Sequence, residues 1–298
     1  MRRQTQRWAI GAGAAIGAGL VSALWFRRSR APSAYRPGDG ARWAVITGAS
    51  SGIGAAFARR LAGDQYHLLL IARRRERLEQ LGAELSRQHS VRVETLPADL
   101  ARDADIAGAA QRVSELDRLA LLVNNAGFGT VGAFASLSAT SQTDMIRLHT
   151  EAPARLTRAA LPAMLARKQG AIINVSSTAA FFALPGNATY CATKRFLVTF
   201  SQALGVELAG QGVTAQALCP GFTHTGFHAT EHFRSGGNRL PQTPALLWMT
   251  PEQVVTCSLR ALGREVVCIP GVINKLIARL PAFLPPDAIG RAVGAFGL

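Results

Sequence analysis

Three side chains in one stretch of the chain can move a proton and hold an oxygen: the hydroxyl of Ser177, the phenol of Tyr190 and the ammonium of Lys194. Tyr190 and Lys194 are four residues apart, so a helix through 190–209 stacks them on one face. An unperturbed phenol titrates near ~10 and is a poor acid or base at neutral pH, whereas a fixed cation above it favours the phenolate and lowers that value. The trio suits acid-base work at a carbonyl or alcohol oxygen. A Tyr-x-x-x-Lys pair alone also arises by chance, as a half-buried Tyr beside a surface Lys, so its meaning depends on its company.

That company begins with the strand Ile172-Ile173-Asn174-Val175-Ser176-Ser177, which delivers Ser177 to a loop ahead of Tyr190. Far upstream, the apolar run Trp43-Ala44-Val45-Ile46 leads directly into Thr47-Gly48-Ala49-Ser50-Ser51-Gly52-Ile53-Gly54 and then a helical pattern. This is the strand-turn-helix setting a dinucleotide loop needs. Gly48, Gly52 and Gly54 permit the tight turn and the close approach of backbone to a pyrophosphate, the helix N-terminus favours its charge, and Ser50 and Ser51 offer further donors beside Ile53. A second glycine pattern, Gly11-x-Gly13-x-x-x-Gly17, has no preceding strand and fails the same test.

With Asn124-Asn125-Ala126-Gly127, Tyr190-x-x-x-Lys194 after Ser177, and Pro220-Gly221 following in order, the sequence resembles the short-chain dehydrogenase/reductase superfamily over about residues 42 to 270. The resemblance implies hydride transfer between a nicotinamide and a carbonyl carbon. Tyr190 would give the proton, Ser177 would polarise the oxygen, and Lys194 would lower the Tyr190 pKa and bond the nicotinamide ribose. It further implies that Asp99, followed by Leu100, contacts the adenine. Asn124, Asn125, Ala126 and Gly127 would line the ribose and brace the sheet, and Pro220, Gly221 and Thr223 would hold the carboxamide. The family's active-site tetrad carries an Asn that holds a water between Lys and solvent, and aligning 156–162 puts His149 there. His149 reads either as a water-holding, proton-carrying relay or as a packed core histidine.

Cofactor choice is legible after the second strand, which ends Ile71-Ala72-Arg73-Arg74-Arg75 with no acid before Glu76. A carboxylate would bind a ribose 2′-hydroxyl and repel a 2′-phosphate, whereas Arg73 and Arg74 would pair with the phosphate; the expected cofactor is NADP(H).

The formal charge is +15, with 30 of 33 basic residues Arg, and residues 1–36 hold seven Arg and no acid. The remainder keeps 26 basic residues against 18 acidic, with no basic stripe interleaved with aromatics, so nucleic acid is not an expected partner. Cys191, Cys219, Cys257 and Cys268 form no Cys-x-x-Cys pair, which points to buried thiols in a reducing compartment without a metal. Trp8–Phe26 is 19 residues without a charge, flanked by Arg on both sides. As a helix it would span ~28 Å, so a single N-terminal membrane anchor is expected, with the catalytic domain facing the cytoplasm and membrane lipid as a partner. A cleaved signal peptide and a soluble helix are the competing readings. Gly13-x-x-x-Gly17 would let two such helices approach, and a homo-oligomer is left open.

The division is residues 1–40 as anchor and linker, 41–270 as catalytic domain and 271–298 as an amphipathic extension. Within the domain, strands fall near 43–47, 67–71, 91–96, 119–124, 171–176, 213–219 and 266–269. Helices fall near 53–62, 75–87, 103–116, 140–167, 190–209 and 251–263. Continuous apolar strands such as Leu68-Leu69-Leu70-Ile71 alternating with helices define the fold class: α/β, a Rossmann-type doubly wound parallel sheet with a transmembrane-like helix ahead of it. The resemblance implies that the segment carrying Phe227, Phe233, Leu246, Leu247, Trp248 and Met249 is the substrate lid, and its apolar lining implies a lipophilic substrate. A stripe of Val272, Ile273, Leu276, Ile277 and Leu280, opposite Asn274, Lys275 and Arg279, suggests a packed or lipid-facing helix. The function expected is an NADP(H)-dependent oxidoreductase on a lipophilic ketone, aldehyde or alcohol. The alternative is an NADP(H)-binding scaffold or sensor that has lost turnover, raised by His149 standing in place of Asn.

Overall fold

The chain alternates apolar strands with amphipathic helices, and the strands close into a seven-stranded parallel sheet. The computed structural model describes residues 42–225 and 245–279. The strands are β1 (Trp43–Thr47), β2 (His67–Ala72), β3 (Val93–Pro97), β4 (Leu119–Asn124), β5 (Gly170–Val175), β6 (Val213–Leu218) and β7 (Val267–Cys268). They lie in the order β3-β2-β1-β4-β5-β6-β7. The chain runs outward from β1 to β3 and then returns to β4 on the other side of β1. The carboxyl ends of β1 and β4 therefore diverge into a crevice, where ligands of such sheets bind.

The α-helices among the described residues are α1 (Gly52–Gly63), α2 (Arg75–His89), α3 (Asp103–Ser114), α4 (Ala139–Ile146), α5 (Ala152–Ala166), α6 (Ala188–Glu207), α7 (Pro251–Ala261) and α8 (Val272–Ile277). Alternation along β1 sorts the core. Ala44 and Ile46 face Phe57 and Leu61 of α1, Leu78 and Leu85 of α2 and Val254 of α7. Val45 faces the other way, towards Ile106 of α3, Leu156 and Met164 of α5 and Leu204 of α6. A sheet covered on both faces needs strands apolar on both, and β1, β4 and β5 are buried at every position.

The helix expected over 140–167 is interrupted. Residues Arg147–Glu151 form a π-helical turn between α4 and α5. Pro153 follows at the start of α5. It has no N–H for the carbonyl of His149 four residues earlier, and the wider turn absorbs that missing bond. The consequence is that His149 turns fully inward, with no exposed surface.

Two expectations are corrected. The membrane anchor placed at Trp8–Phe26 lies outside the described residues, and among the described residues no helix is long and apolar enough to cross a membrane. The longest helical stretches show why: 139–166 carries Asp144, Arg147, Glu151, Arg155 and Arg158, and α6 carries Lys194, Arg195 and Glu207. Among the described residues the fold class is the Rossmann-type sheet without a transmembrane helix, and no helix there supports the tethered, cytoplasm-facing arrangement. The second correction concerns 271–298. In α8 it is Asn274, expected on the polar face, that is buried, while Val272 and Leu276 of the apolar stripe are 75% and 59% exposed; Ile273 and Ile277 are half-buried, and Lys275 and Arg279 are exposed as expected. Leu280 and the residues after it lie outside the described residues.

Candidate active site

The glycine loop is fixed from below by Asn125. Its side-chain amide donates to the carbonyls of Thr47 at 2.9 Å and Gly48 at 3.3 Å, while its backbone N–H and that of Ala126 donate to Thr47 Oγ1, both at 2.9 Å. Gly48 sits at φ +66°, and a Cβ on Gly54 would lie 2.4 Å from the Gly48 carbonyl oxygen, so the first turn of α1 packs directly on the loop. That first turn contains no acidic residue, and the Ser51 side chain caps no helix amide. The free amides, the unopposed helix dipole and the two serine hydroxyls together fit a pyrophosphate.

At the end of β2, Arg74 donates through Nη2 to Ser50 Oγ at 2.9 Å and to Ser51 Oγ at 2.6 Å. Burial lowers its pKa from the ordinary arginine value, with the charges of Arg77 and Arg73 adding to the effect, though not enough to neutralise it. A cluster of guanidinium groups is stabilised by an anion, which suits a 2′-phosphate. Arg77 belongs to this cluster and lines the same cavity, although the residues expected for this role end at Arg74. The signal for it is spacing, since Arg77 follows Arg73 by four and Arg74 by three where a helix begins.

The cavity has a volume of about 800 Å³, within the range of small-molecule sites. It runs from Gly48, Ser50, Ser51, Gly52, Ile53, Arg73 and Arg74, past Asp99, Leu100, Asn125, Ala126 and Gly127, to Ser177, Tyr190, Lys194, Pro220, Gly221 and Thr223. Gly54 lies beneath the loop and does not line it, and neither does Asn124. The Asn124 amide instead donates to Asn174 Oδ1 at 2.8 Å and Thr157 Oγ1 at 3.3 Å, bracing β4 against β5 and α5. The side chain of Asp99 accepts from the Ala101 N–H at 3.2 Å, which holds the turn after β3.

Ser177 leaves β5 and accepts from the Ala179 N–H at 3.1 Å. It is hydrogen-bonded to the Tyr190 phenol. Tyr190 lies in the first turn of α6, and Lys194 lies one turn on, 4% exposed, with Nζ 5.7 Å from the Tyr190 ring centre. The ammonium donates to the Val175 carbonyl at 3.0 Å, and Ser176 Oγ donates to the Lys194 carbonyl at 2.7 Å, so β5 and α6 hold the trio from both sides. The electrostatics differ from expectation. Burial pushes the Tyr190 phenol up to about 12, outweighing the Ser177 hydrogen bond that lowers it, and burial brings Lys194 down to about 8. Desolvation therefore governs both groups, and at neutral pH the phenol holds its proton while the amine is still mostly charged.

The cavity wall beyond the trio is mostly apolar, with Phe128, Val131, Phe182, Leu184, Phe222 and Ile277 beside the polar Thr178, Asn187 and Thr225. Of the expected lid, Phe227 and Phe233 lie outside the described residues, while Trp248 packs on Phe222 with ring centres 5.4 Å apart. Thr223 pairs with Met249 as an isolated bridge, and a Cβ on Gly221 would meet Asn274 Oδ1 at 2.5 Å, which explains why α8 buries its polar residue. The four cysteines are unpaired, three of them buried.

A doubly wound parallel sheet with a glycine-loop phosphate cradle and a hydroxyl, phenol and ammonium at the far end of one cleft defines a dinucleotide-binding fold with acid-base groups at its cleft. The family follows from comparison: the short chain dehydrogenase family matches residues 42–233, and the chain belongs to it. It is 34% identical over 229 residues to a very-long-chain 3-oxoacyl-CoA reductase of Phaeosphaeria nodorum, covering 75% of this chain and 64% of that protein. The chain thus spans somewhat less than two thirds of the length of that relative. Among solved structures, a short-chain dehydrogenase from Sphingobium yanoikuyae in complex with NADPH is 35% identical with a TM-score of 0.73, over 85% of this chain and 95% of that one. The bulky-bulky ketone specific alcohol dehydrogenase from Comamonas testosteroni is 31% identical with a TM-score of 0.68, over 82% and 95%.

Proposed function

We propose that this protein is an NADP(H)-dependent oxidoreductase that interconverts a lipophilic ketone or aldehyde and its alcohol. The observation that carries the reading is one continuous cavity with Arg73, Arg74 and Arg77 at one end and Ser177, Tyr190 and Lys194 at the other. When bound, NADPH supplies the hydride to the carbonyl carbon. The chain's own groups do the rest. Ser177 donates to the substrate oxygen and polarises it, and the protonated Tyr190 phenol gives that oxygen its proton as negative charge develops. Lys194, held by Val175, keeps a positive charge beside the phenol and would hold the nicotinamide ribose. Asn125 keeps the glycine loop shaped for the pyrophosphate, and Thr223 would hold the carboxamide.

The apolar wall supports a lipophilic substrate, as do relatives described as reducing very-long-chain 3-oxoacyl-CoA or as specific for bulky-bulky ketones. Residues 41–270 form the catalytic unit, with 271–298 as an extension whose helix Val272–Ile277 backs the Pro220–Gly221 loop. The test is NADPH oxidation by the purified full chain with long-chain 3-oxoacyl thioesters, bulky ketones and short ketones. Turnover that rises with apolar bulk supports the reading. Tight NADPH binding with no turnover of any carbonyl would favour the scaffold.

A further inference from the structure

His149 is enclosed, and both ring nitrogens are taken among the described residues. The Phe128 N–H donates to Nε2 at 3.2 Å, and Nδ1 lies 2.9 Å from Thr193 Oγ1. The Thr193 hydroxyl in turn donates to the Tyr190 carbonyl at 3.0 Å. These contacts fix the tautomer. A nitrogen that accepts from a backbone N–H carries its lone pair, so Nε2 has no proton and the single proton of a neutral imidazole is on Nδ1. Nδ1–H then donates to Thr193, whose own proton is already committed to Tyr190. The chain of bonds runs in one direction from the Gly127–Phe128 loop through His149 to the first turn of α6, with every donor and acceptor used.

The surroundings leave the ring no second state. Its edge faces the Tyr190 ring, with centres 6.0 Å apart. A Cβ on Gly127 would lie 2.7 Å from Nε2 and 3.4 Å from Lys194 Nζ, so the glycine is the thin spacer between the imidazole and the ammonium. A proton on Nε2 would oppose the Phe128 N–H and add a cation beside Lys194; flipping the ring would break both bonds. Burial, with the Lys194 charge second, holds the pKa well below the ordinary histidine value.

We propose that His149 is a positioning residue, a neutral Nδ1–H imidazole that ties the helix turn bearing Tyr190 and Lys194 to the cofactor-side loop and carries no proton in the reaction. The proposal rests on the oxidoreductase reading above. It explains how a histidine serves in this family at a position where the resemblance implies an asparagine. Asn reaches where Nδ1 stands and keeps the Thr193 end of the strut, whereas Gln reaches where Nε2 stands and keeps the Phe128 end.

The first test is nitrogen-15 NMR of histidine-labelled full-length protein from pH 5.5 to 8.5, with His149 assigned by contact to the Thr193 and Phe128 protons. A non-titrating ring with its proton on Nδ1 is expected; a midpoint inside that range, or a proton on Nε2, overturns the proposal. The second test is kinetic. His149→Asn and His149→Gln should each lower kcat about tenfold and His149→Leu about 10²-fold, the order expected for misplacing a reacting group by about an ångström. The pH profile of kcat should keep its shape in all three. Thr193→Val should match the single-ended variants and add little to His149→Gln, since that variant has already lost the Thr193 bond. A profile that changes shape with His149→Gln, or full activity in Thr193→Val, would mean that the ring moves protons or that the strut does not matter. Should the variants fail to fold, the spectrum of the unmodified protein still decides. Absence of turnover in the unmodified protein would count against the oxidoreductase reading while leaving the tautomer measurable.

Discussion

Arg74 is bonded to Ser51 across the mouth of the cleft, Nη2 to Oγ at 2.6 Å, so the end of β2 and the glycine loop after β1 form one anion-binding rim. The same guanidinium reaches Ser50 Oγ at 2.9 Å, and Arg73 and Arg77 line the cavity beside it. Positive charge is thus gathered where a ribose 2′-phosphate would lie.

From this rim, NADPH is expected to bind more tightly than NADH. Each charge-assisted phosphate contact contributes about 1.5 to 3 kcal/mol, so Arg73→Ala with Arg74→Ala should remove most of the preference, and Arg77→Ala part of it. Isothermal titration with both cofactors checks this. Equal affinities in the unmodified protein would remove the argument.

Tyr190→Phe should abolish turnover while leaving NADPH affinity nearly unchanged, because the phenol acts on the substrate oxygen. Ser177→Ala, which removes a donor to the developing charge, should lower kcat by about 10²- to 10³-fold. Steady-state kinetics beside fluorescence titration of NADPH separates the two effects, and a Tyr190→Phe enzyme that still turns over would refute the proton assignment.

The buried Lys194 gives stability a pH dependence with a definite sign. Its folded pKa of about 8 lies below the unfolded 10.5, so between them the unfolded chain binds more protons and stability rises with pH. Below about pH 8 the burial of the ammonium is fully felt. Cys219, Cys268 and Tyr190, each raised to about 12 by burial, act in the opposite sense above their unfolded values. A comparison isolates the lysine: the Tm advantage of Lys194→Met over the unmodified cofactor-free protein should shrink as pH rises from 7 to 9.5. A constant difference would place the amine outside that range.

Two glycines should respond oppositely to alanine. A Cβ on Gly54 would stand 2.4 Å from the Gly48 carbonyl oxygen, so Gly54→Ala should displace the loop, weaken NADPH binding by at least tenfold and lower stability. A Cβ on Gly108, inside α3, would meet nothing within 4 Å. Gly108→Ala should raise stability by about 0.5–1 kcal/mol through helix propensity alone. Chemical denaturation of both variants reads the contrast directly.

Much of this molecule is legible in its sequence because its signals are local. Apolar runs such as Leu68–Ile71 need only a few neighbours to read as buried strands, and every expected strand has an observed counterpart within about two residues at its ends. The Thr47–Gly54 loop is recognisable because backbone geometry demands glycine there whatever lies elsewhere. The spacing of Tyr190 and Lys194 puts them on adjacent turns of one helix face, and the short fragment around them already names the chemistry they can do.

What the chain alone could not show depends on partners far away in sequence. Whether Tyr190 is raised or lowered rests on how much protein closes over it, and burial prevails over the lowering hydrogen bond from Ser177, 13 residues before it. Asn124 reads as a cofactor residue until Asn174 and Thr157 are seen to occupy its amide. Asn274 reads as the polar face of a helix until Gly221 is found beneath it. His149 is ambiguous as a letter in the sequence, and it is the π-turn ahead of Pro153, together with Phe128 and Thr193, that assigns its two nitrogens. Periodicity and backbone geometry are properties of a segment and are written in it. Desolvation and hydrogen-bond occupancy are properties of an enclosure, and only the folded chain makes the enclosure.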